Sequence, residues 1–189
     1  IEDVMNDLNN NPETTHVISF IGRTHGKING ETYSTIDYLE QPGKIKDNVR
    51  DNLFVPLVIA EACKKYSKNN RFVHYTYFGT GCIFSYDNEH PYEKEENGFK
   101  EEDAPNFFGS SYSVVKGKTD QLMSLLYDKT CLNLRIRMPI TGKDNPRNFI
   151  TKITHYEKIC SIKNSMTVLP ELIPIIVDMM KKQITGTMN

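Results

Sequence analysis

The sequence predicts an α/β protein with a parallel sheet and flanking helices, on two observations. Short runs rich in apolar and aromatic residues, at 16–21, 72–78 and 132–137, alternate with longer segments whose apolar residues recur at helical spacing. Each run also ends in small or polar residues: Gly22 to Gly26, Gly79 to Cys82, and Met138 with Pro139. Strands alternating with helices assemble into a parallel sheet, and the carboxyl ends of such strands share the edge where open α/β sheets bind ligands.

In chain order, Ile1, Val4, Met5 and Leu8 keep the i, i+3, i+4, i+7 spacing of an amphipathic helix. Asn9, Asn10, Asn11 and Pro12 form a turn before the first strand. Residues 27–43, with Gly30, Pro42 and Gly43, read as an irregular excursion. A long helix is expected over about 46–66, with Val49, Leu53, Leu57, Ala60 and Cys63 near one face and Pro56 bending or interrupting it. Asn52 sits there among apolar neighbours, where a buried amide requires partners, and is expected to lock the strand-end loops through their backbone. The charged stretch 85–108 reads as a surface loop, with 93–103 as an alternative lid over the site. The helix over 111–127 is expected to face the core with Val115, Leu122, Leu125 and Leu126. After the third strand come a turn-rich loop, a helix from about Asn148, a short strand near 159–162 and a helix over about 170–182.

A chain of 189 residues is long enough for one sizeable core and short for two. Its 23 basic and 24 acidic residues are balanced, which gives no electrostatic case for nucleic acid or an anionic membrane. No apolar run approaches the ~18 residues of a membrane span. The first residues lack the basic start and apolar block of a signal peptide, so a cytoplasmic protein is expected. Cys63, Cys82, Cys131 and Cys160 are widely spaced with no CxxC pair, which suits free thiols better than disulfides or a metal site. Cys63, Cys131 and Cys160 read as core residues.

Tyr112 and Lys116 are i, i+4 neighbours at the start of the 111–127 helix, with phenol and ammonium on one face. An ammonium beside a phenol favours phenolate and is expected to lower the Tyr112 pKa. Such a phenol exchanges a proton with a carbonyl oxygen as hydride arrives or leaves. The pair alone is common on solvated helices. No GxGxxG or GxxGxxG follows a strand, and Gly22, Gly26 and Gly30 have the wrong spacing for a pyrophosphate loop.

Gly79 and Thr80 followed by Tyr112 and Lys116 resemble the extended short-chain dehydrogenase/reductases, a Rossmann-type superfamily. Four co-ordered segments, FIGRTHG at 20–26, YFGTGCIF at 77–84, NPRNFITKI at 145–153 and NSMTVL at 164–169, resemble more closely the nucleotide-rhamnose synthase/epimerase-reductases of plants and large DNA viruses. The similarity runs from about residue 14 nearly to the end. It implies 3,5-epimerisation of a nucleotide 4-keto-6-deoxyhexose such as UDP-4-keto-6-deoxy-glucose, then reduction of the C4 ketone by NADPH, giving the L-rhamnose nucleotide.

The resemblance implies catalytic roles for Tyr112, Lys116, Thr80, Cys82 and Lys152. Cys82 and Lys152 would exchange the carbon-bound protons, Thr80 would bind the C4 carbonyl, Tyr112 would protonate O4, and Lys116 would tune Tyr112 and hold the nicotinamide ribose. Gly22, Arg23, Thr24, Met138 and Pro139 are expected beside the cofactor, and His25, Phe84, Asn148 and Phe149 beside the substrate. The family's glycine loop is not in this sequence. The chain therefore reads as a central portion, with the remainder of a nucleotide-binding domain over 1–141 and part of a substrate-binding lobe over 142–189. Dimerisation through the helices at 46–66 and 111–127 is a family expectation. Two rivals stand beside this reading: a reductase-only enzyme of the dTDP-rhamnose type, with Cys82 idle, and a non-catalytic dehydrogenase-like subunit.

Overall fold

The computed structural model describes residues 1–189, apart from the side chain of Glu95. Four strands form one parallel sheet in the order β1 (His16–Ser19), β4 (His74–Thr80), β5 (Cys131–Ile136), β6 (Gly186–Met188). Register is set by pairs such as Val17 with Tyr75, Tyr77 with Asn133, and Leu132 with Gly186. Helices cover both faces, so alternate residues of one strand enter different cores. Val73, Tyr75, Tyr77 and Cys131 pack under α1 (Glu2–Asn10), α3 (Val55–Asn69) and α4 (Ser111–Tyr127). Leu132 and Leu134 pack instead against Ile176 of α6 (Leu169–Lys181).

Several expectations are corrected. The excursion after β1 contains a hairpin, β2 (Gly26–Ile28) and β3 (Glu31–Tyr33). Its turn residues Asn29 and Gly30 both have positive φ, 50° and 86°, a conformation these two residue types adopt at least cost. Residues 159–162 form no strand, and the fourth strand lies at 186–188 instead. After the excursion that follows β5, α6 and β6 return to the sheet. On α4 the buried stripe is Val115, Thr119, Met123 and Tyr127, while Leu125 is 78 % exposed. A polar member of the stripe hid this face from a purely apolar reading. Cys160 is exposed rather than in the core, whereas Cys63 and Cys131 are buried.

The helix holding Asn52 is α2 (Ile45–Val49), a π turn (Arg50–Phe54) and α3. Pro56 lies in the first turn of α3 and lacks the N–H an α-helix would send back to Asn52, so the chain widens just ahead of it. Among the described residues no helix is long and apolar enough to cross a membrane.

Candidate active site

The carboxyl ends of β1, β4 and β5 lie on one edge of the sheet, and the amino end of α4 joins them. Ser110 caps α4 by accepting from the Ser113 N–H at 3.1 Å. Glu40 accepts from the Ser111 N–H and hydroxyl, both at 2.9 Å, placing a carboxylate at the positive end of the helix. These contacts fix the first turn of α4, on which Tyr112 stands.

The Tyr112 phenol neighbours Thr80, at the end of β4, whose side chain favours the phenolate. Thr80 also accepts from the Cys82 N–H at 3.1 Å, which folds the strand end over so that the thiol lies beside Tyr112 and Lys116. Burial, with the neighbouring Cys82, pushes the Tyr112 pKa up, opposite to the direction expected from the Tyr–Lys spacing. Lys116 is buried, and its ammonium donates to Tyr77. Burial lowers the Lys116 pKa to about 8, against the raising influence of Asp120 and Cys82.

The loop after β1 is gripped from below. Asn52 accepts from the Arg23 N–H at 2.8 Å and donates to the Arg23 carbonyl at 2.9 Å and to Asn48 at 2.9 Å. The Arg23 guanidinium pairs with Asp51 at 2.5 Å, so Thr24 and His25 form the loop's exposed tip. A Cβ at Gly22 would lie 3.3 Å from Asn52 Oδ1, so this turn passes close over the amide.

His25 meets Arg147 across the site, Nε2 to Nη2, at 2.6 Å. Burial, then Arg147, Arg23 and Lys152 in decreasing order, lower the His25 pKa, which keeps the ring neutral and able to accept this bond. Lys152 lies on α5 (Phe149–Ile153), on the half-buried side. Asn148 caps that helix and donates to the Thr141 and Lys143 carbonyls at 2.7 and 2.9 Å, so its amide shapes the loop. Phe84 stacks on Phe99 at 4.4 Å and lies under Arg135 at 5.0 Å, which directs it towards the 85–108 loop. Met138, at the end of β5, takes a φ of 38° just before Pro139, a strained backbone for a side chain of this size.

The structure thus brings Thr80, Cys82, Tyr112 and Lys116 together, and sets His25 against Arg147, with Lys152 the weakest of the cations that act on it. Sequence reading missed Tyr77, Asp120, Arg147 and Glu40. Asp120 follows Lys116 by one helical turn, and Tyr77 shares a strand face with Tyr75, so periodicity points to both. Among the described residues no group of His, Cys, Asp and Glu has the arrangement of a metal site.

No family model matches the chain. Over 173 residues it is 58 % identical to the L780 protein of Acanthamoeba polyphaga mimivirus, covering 92 % of this chain and 56 % of that one. The crystal structure of the L780 UDP-rhamnose synthase aligns with a TM-score of 0.86 at 54 % identity, over 98 % of this chain and 60 % of L780. This chain is a homologue of the L780 UDP-rhamnose synthase. A bifunctional dTDP-4-dehydrorhamnose 3,5-epimerase/reductase of Arabidopsis thaliana is 46 % identical over 144 residues, covering 76 % of this chain and 45 % of that protein. The chain therefore spans about half the length of these two relatives. A dTDP-4-dehydrorhamnose reductase from Bacillus anthracis, solved with NADP, shares the fold at a TM-score of 0.67 and 16 % identity.

Proposed function

We propose that this chain carries the catalytic edge of an NADPH-dependent epimerase/reductase. It would convert a nucleotide 4-keto-6-deoxyhexose, UDP-4-keto-6-deoxy-glucose in the first instance, to the L-rhamnose nucleotide. The observation that carries the reading is the convergence of Thr80, Cys82, Tyr112 and Lys116 at the carboxyl end of β4. A ketone makes the flanking C3 and C5 protons acidic once its oxygen is stabilised, and Thr80 with Tyr112 offers that stabilisation. Cys82 is the base for the exchange, and Lys152 is its proposed partner from the far rim. Tyr112 keeps its proton at neutral pH because burial raises its pKa, so it acts as the acid that protonates O4 during reduction.

The nicotinamide–ribose end of NADPH fits the donors present. The buried Lys116 ammonium donates to the weakly basic oxygen of Tyr77, and such a donor suits ribose hydroxyls. Gly22, Thr24, Met138 and Pro139 line the neighbouring strand ends. When bound, NADPH supplies the hydride. The reading extends to a homodimer, supported by apolar side chains left exposed on two adjoining helices: Ile45, Phe54, Leu125 and Leu126. The sheet unit would then comprise residues 1–141 and 169–189, with 142–168 belonging to the substrate lobe.

The test follows the 4-keto sugar by mass spectrometry in deuterated water, with and without NADPH. The expected result is deuterium gain without NADPH, lost in Cys82→Ala and slowed but not abolished in Tyr112→Phe, which fails to reduce. Reduction with no exchange would identify a reductase alone. Neither reaction, with no binding of NADPH or sugar nucleotide, would overturn the enzymatic reading.

A further inference from the structure

The Lys116 side chain is 5 % exposed, and its ammonium has two contacts with one residue. It donates to the Tyr77 hydroxyl and lies 4.5 Å from the centroid of the same ring. Tyr77 is 1 % exposed, held on β4 between the neighbouring strands. Asp120, one turn further along α4, is the nearby carboxylate, but its oxygens already accept from Arg135 at 2.8 and 3.0 Å and from Asn133 at 2.7 Å. The direction of the ammonium is therefore set by a phenol from the sheet, not by the carboxylate on its own helix. Three residues along the same strand, Thr80 neighbours Tyr112. One strand thus supplies the hydrogen-bond partner of Lys116 and a neighbour of Tyr112.

We propose that Tyr77 is a positioning residue, whose hydroxyl and ring face fix the direction of the Lys116 ammonium that reduction requires beside Tyr112. The inference rests on the reductase reading for its functional consequence, though not for its structural one. The groups facing the ammonium are Tyr77 from β4, Asp120 from α4 and Cys82 from the strand-end loop, with Arg135 of β5 behind Asp120. Of these, Tyr77 supplies the hydrogen-bond acceptor. Removing its hydroxyl leaves the cost of burying the charge and takes away the acceptor that offsets it.

The test titrates Lys116 by NMR, with labelled lysine, in the unsubstituted chain and in Tyr77→Phe. The expected result is a midpoint lowered by about half a unit or more in Tyr77→Phe, since a buried base without an acceptor loses its proton sooner. The alkaline limb of the kcat profile for keto-sugar reduction should move down by a similar amount. A purely structural role would instead lower kcat at every pH and leave the limb in place. An unchanged Lys116 midpoint in folded Tyr77→Phe overturns the proposal. If the midpoint moves but no keto sugar is reduced by the unsubstituted chain, the reductase reading falls and the Tyr77–Lys116 relationship stands. Should Tyr77→Phe not fold, the unsubstituted chain decides. Its Lys116 ammonium protons must show Overhauser contacts to the Tyr77 ring, and absence of those contacts overturns the proposal.

Discussion

The Thr119 hydroxyl donates to the backbone carbonyl of Asn52 at 2.6 Å, joining α4 to the π turn. That carbonyl is the one Pro56, four residues on, has no N–H to reach. The distortion of one helix is thus completed by a side chain of the next, and the same turn presents the Asn52 amide to the Arg23 backbone. Thr119→Val removes this buried hydrogen bond between α4 and the π turn and should cost about 1 kcal/mol in urea unfolding. In a Pro56→Ala background the regained N–H competes for that carbonyl, so the cost should shrink. Equal costs in both backgrounds would refute the coupling.

The parallel sheet and the convergence of three strand ends were legible because they rest on apolar runs and the small residues that close them. What escaped were features whose signal is polar or very short. Asn29 with Gly30 is a two-residue hairpin signal, but the flanking strands have three residues each and too little alternation to be recognised. The face of α4 was misread because Thr119 and Asp120 are buried polar residues, satisfied by partners distant in sequence. The strand β6 is three residues long, and its place beside β5 is set by α6 folding back. At the site, spacing placed Tyr112 with Lys116, while the direction of the Tyr112 shift depended on burial, which spacing does not report.

Asp120 and Arg135 pair at 2.8 Å with side chains only 4 % and 3 % exposed. Arg135 also donates to the Lys100 and Asp103 carbonyls, at 3.0 and 3.2 Å, tying the 85–108 loop to β5. Removing one partner strands the other charge in the interior, so Asp120→Asn should cost roughly 3–5 kcal/mol in urea unfolding. Replacing both, as Asp120→Leu with Arg135→Met, should recover much of the loss, because burying the pair is itself costly. A double variant as unstable as the sum of its parts would contradict this.

Lys116 carries a pH signature that can be measured without substrate. Its pKa falls from 10.5 to about 8 on folding, so between those values the unfolded chain binds more protons than the native one. Stability from this group therefore rises with pH through that window; it is fully present above 10.5 and lost as pH falls through about 8. Relative to Lys116→Met, which cannot titrate, the unsubstituted chain should gain on the order of 3 kcal/mol between pH 7 and pH 11. The comparison cancels the opposing titrations of Cys63, Cys131 and the buried tyrosines. A constant difference across the range would mean that Lys116 is not charged and buried at pH 7.

His25 reports whether the 141–148 loop leans on the β1 loop in solution. Its pKa is lowered first by burial and next by Arg147, whose guanidinium lies 2.6 Å from Nε2. Arg147→Met removes that cation and opens the ring to water, and both changes favour the imidazolium. The His25 midpoint, followed by the ring resonances in NMR, should therefore rise towards 6.5, the ordinary value. Lys152→Met should raise it by less, since Lys152 ranks behind both Arg147 and Arg23 among the causes. If Arg147→Met leaves the midpoint where it was, the bridge does not persist in solution. The two loops would then be independent, and α5, which follows Arg147, would lose its tie to the β1 loop.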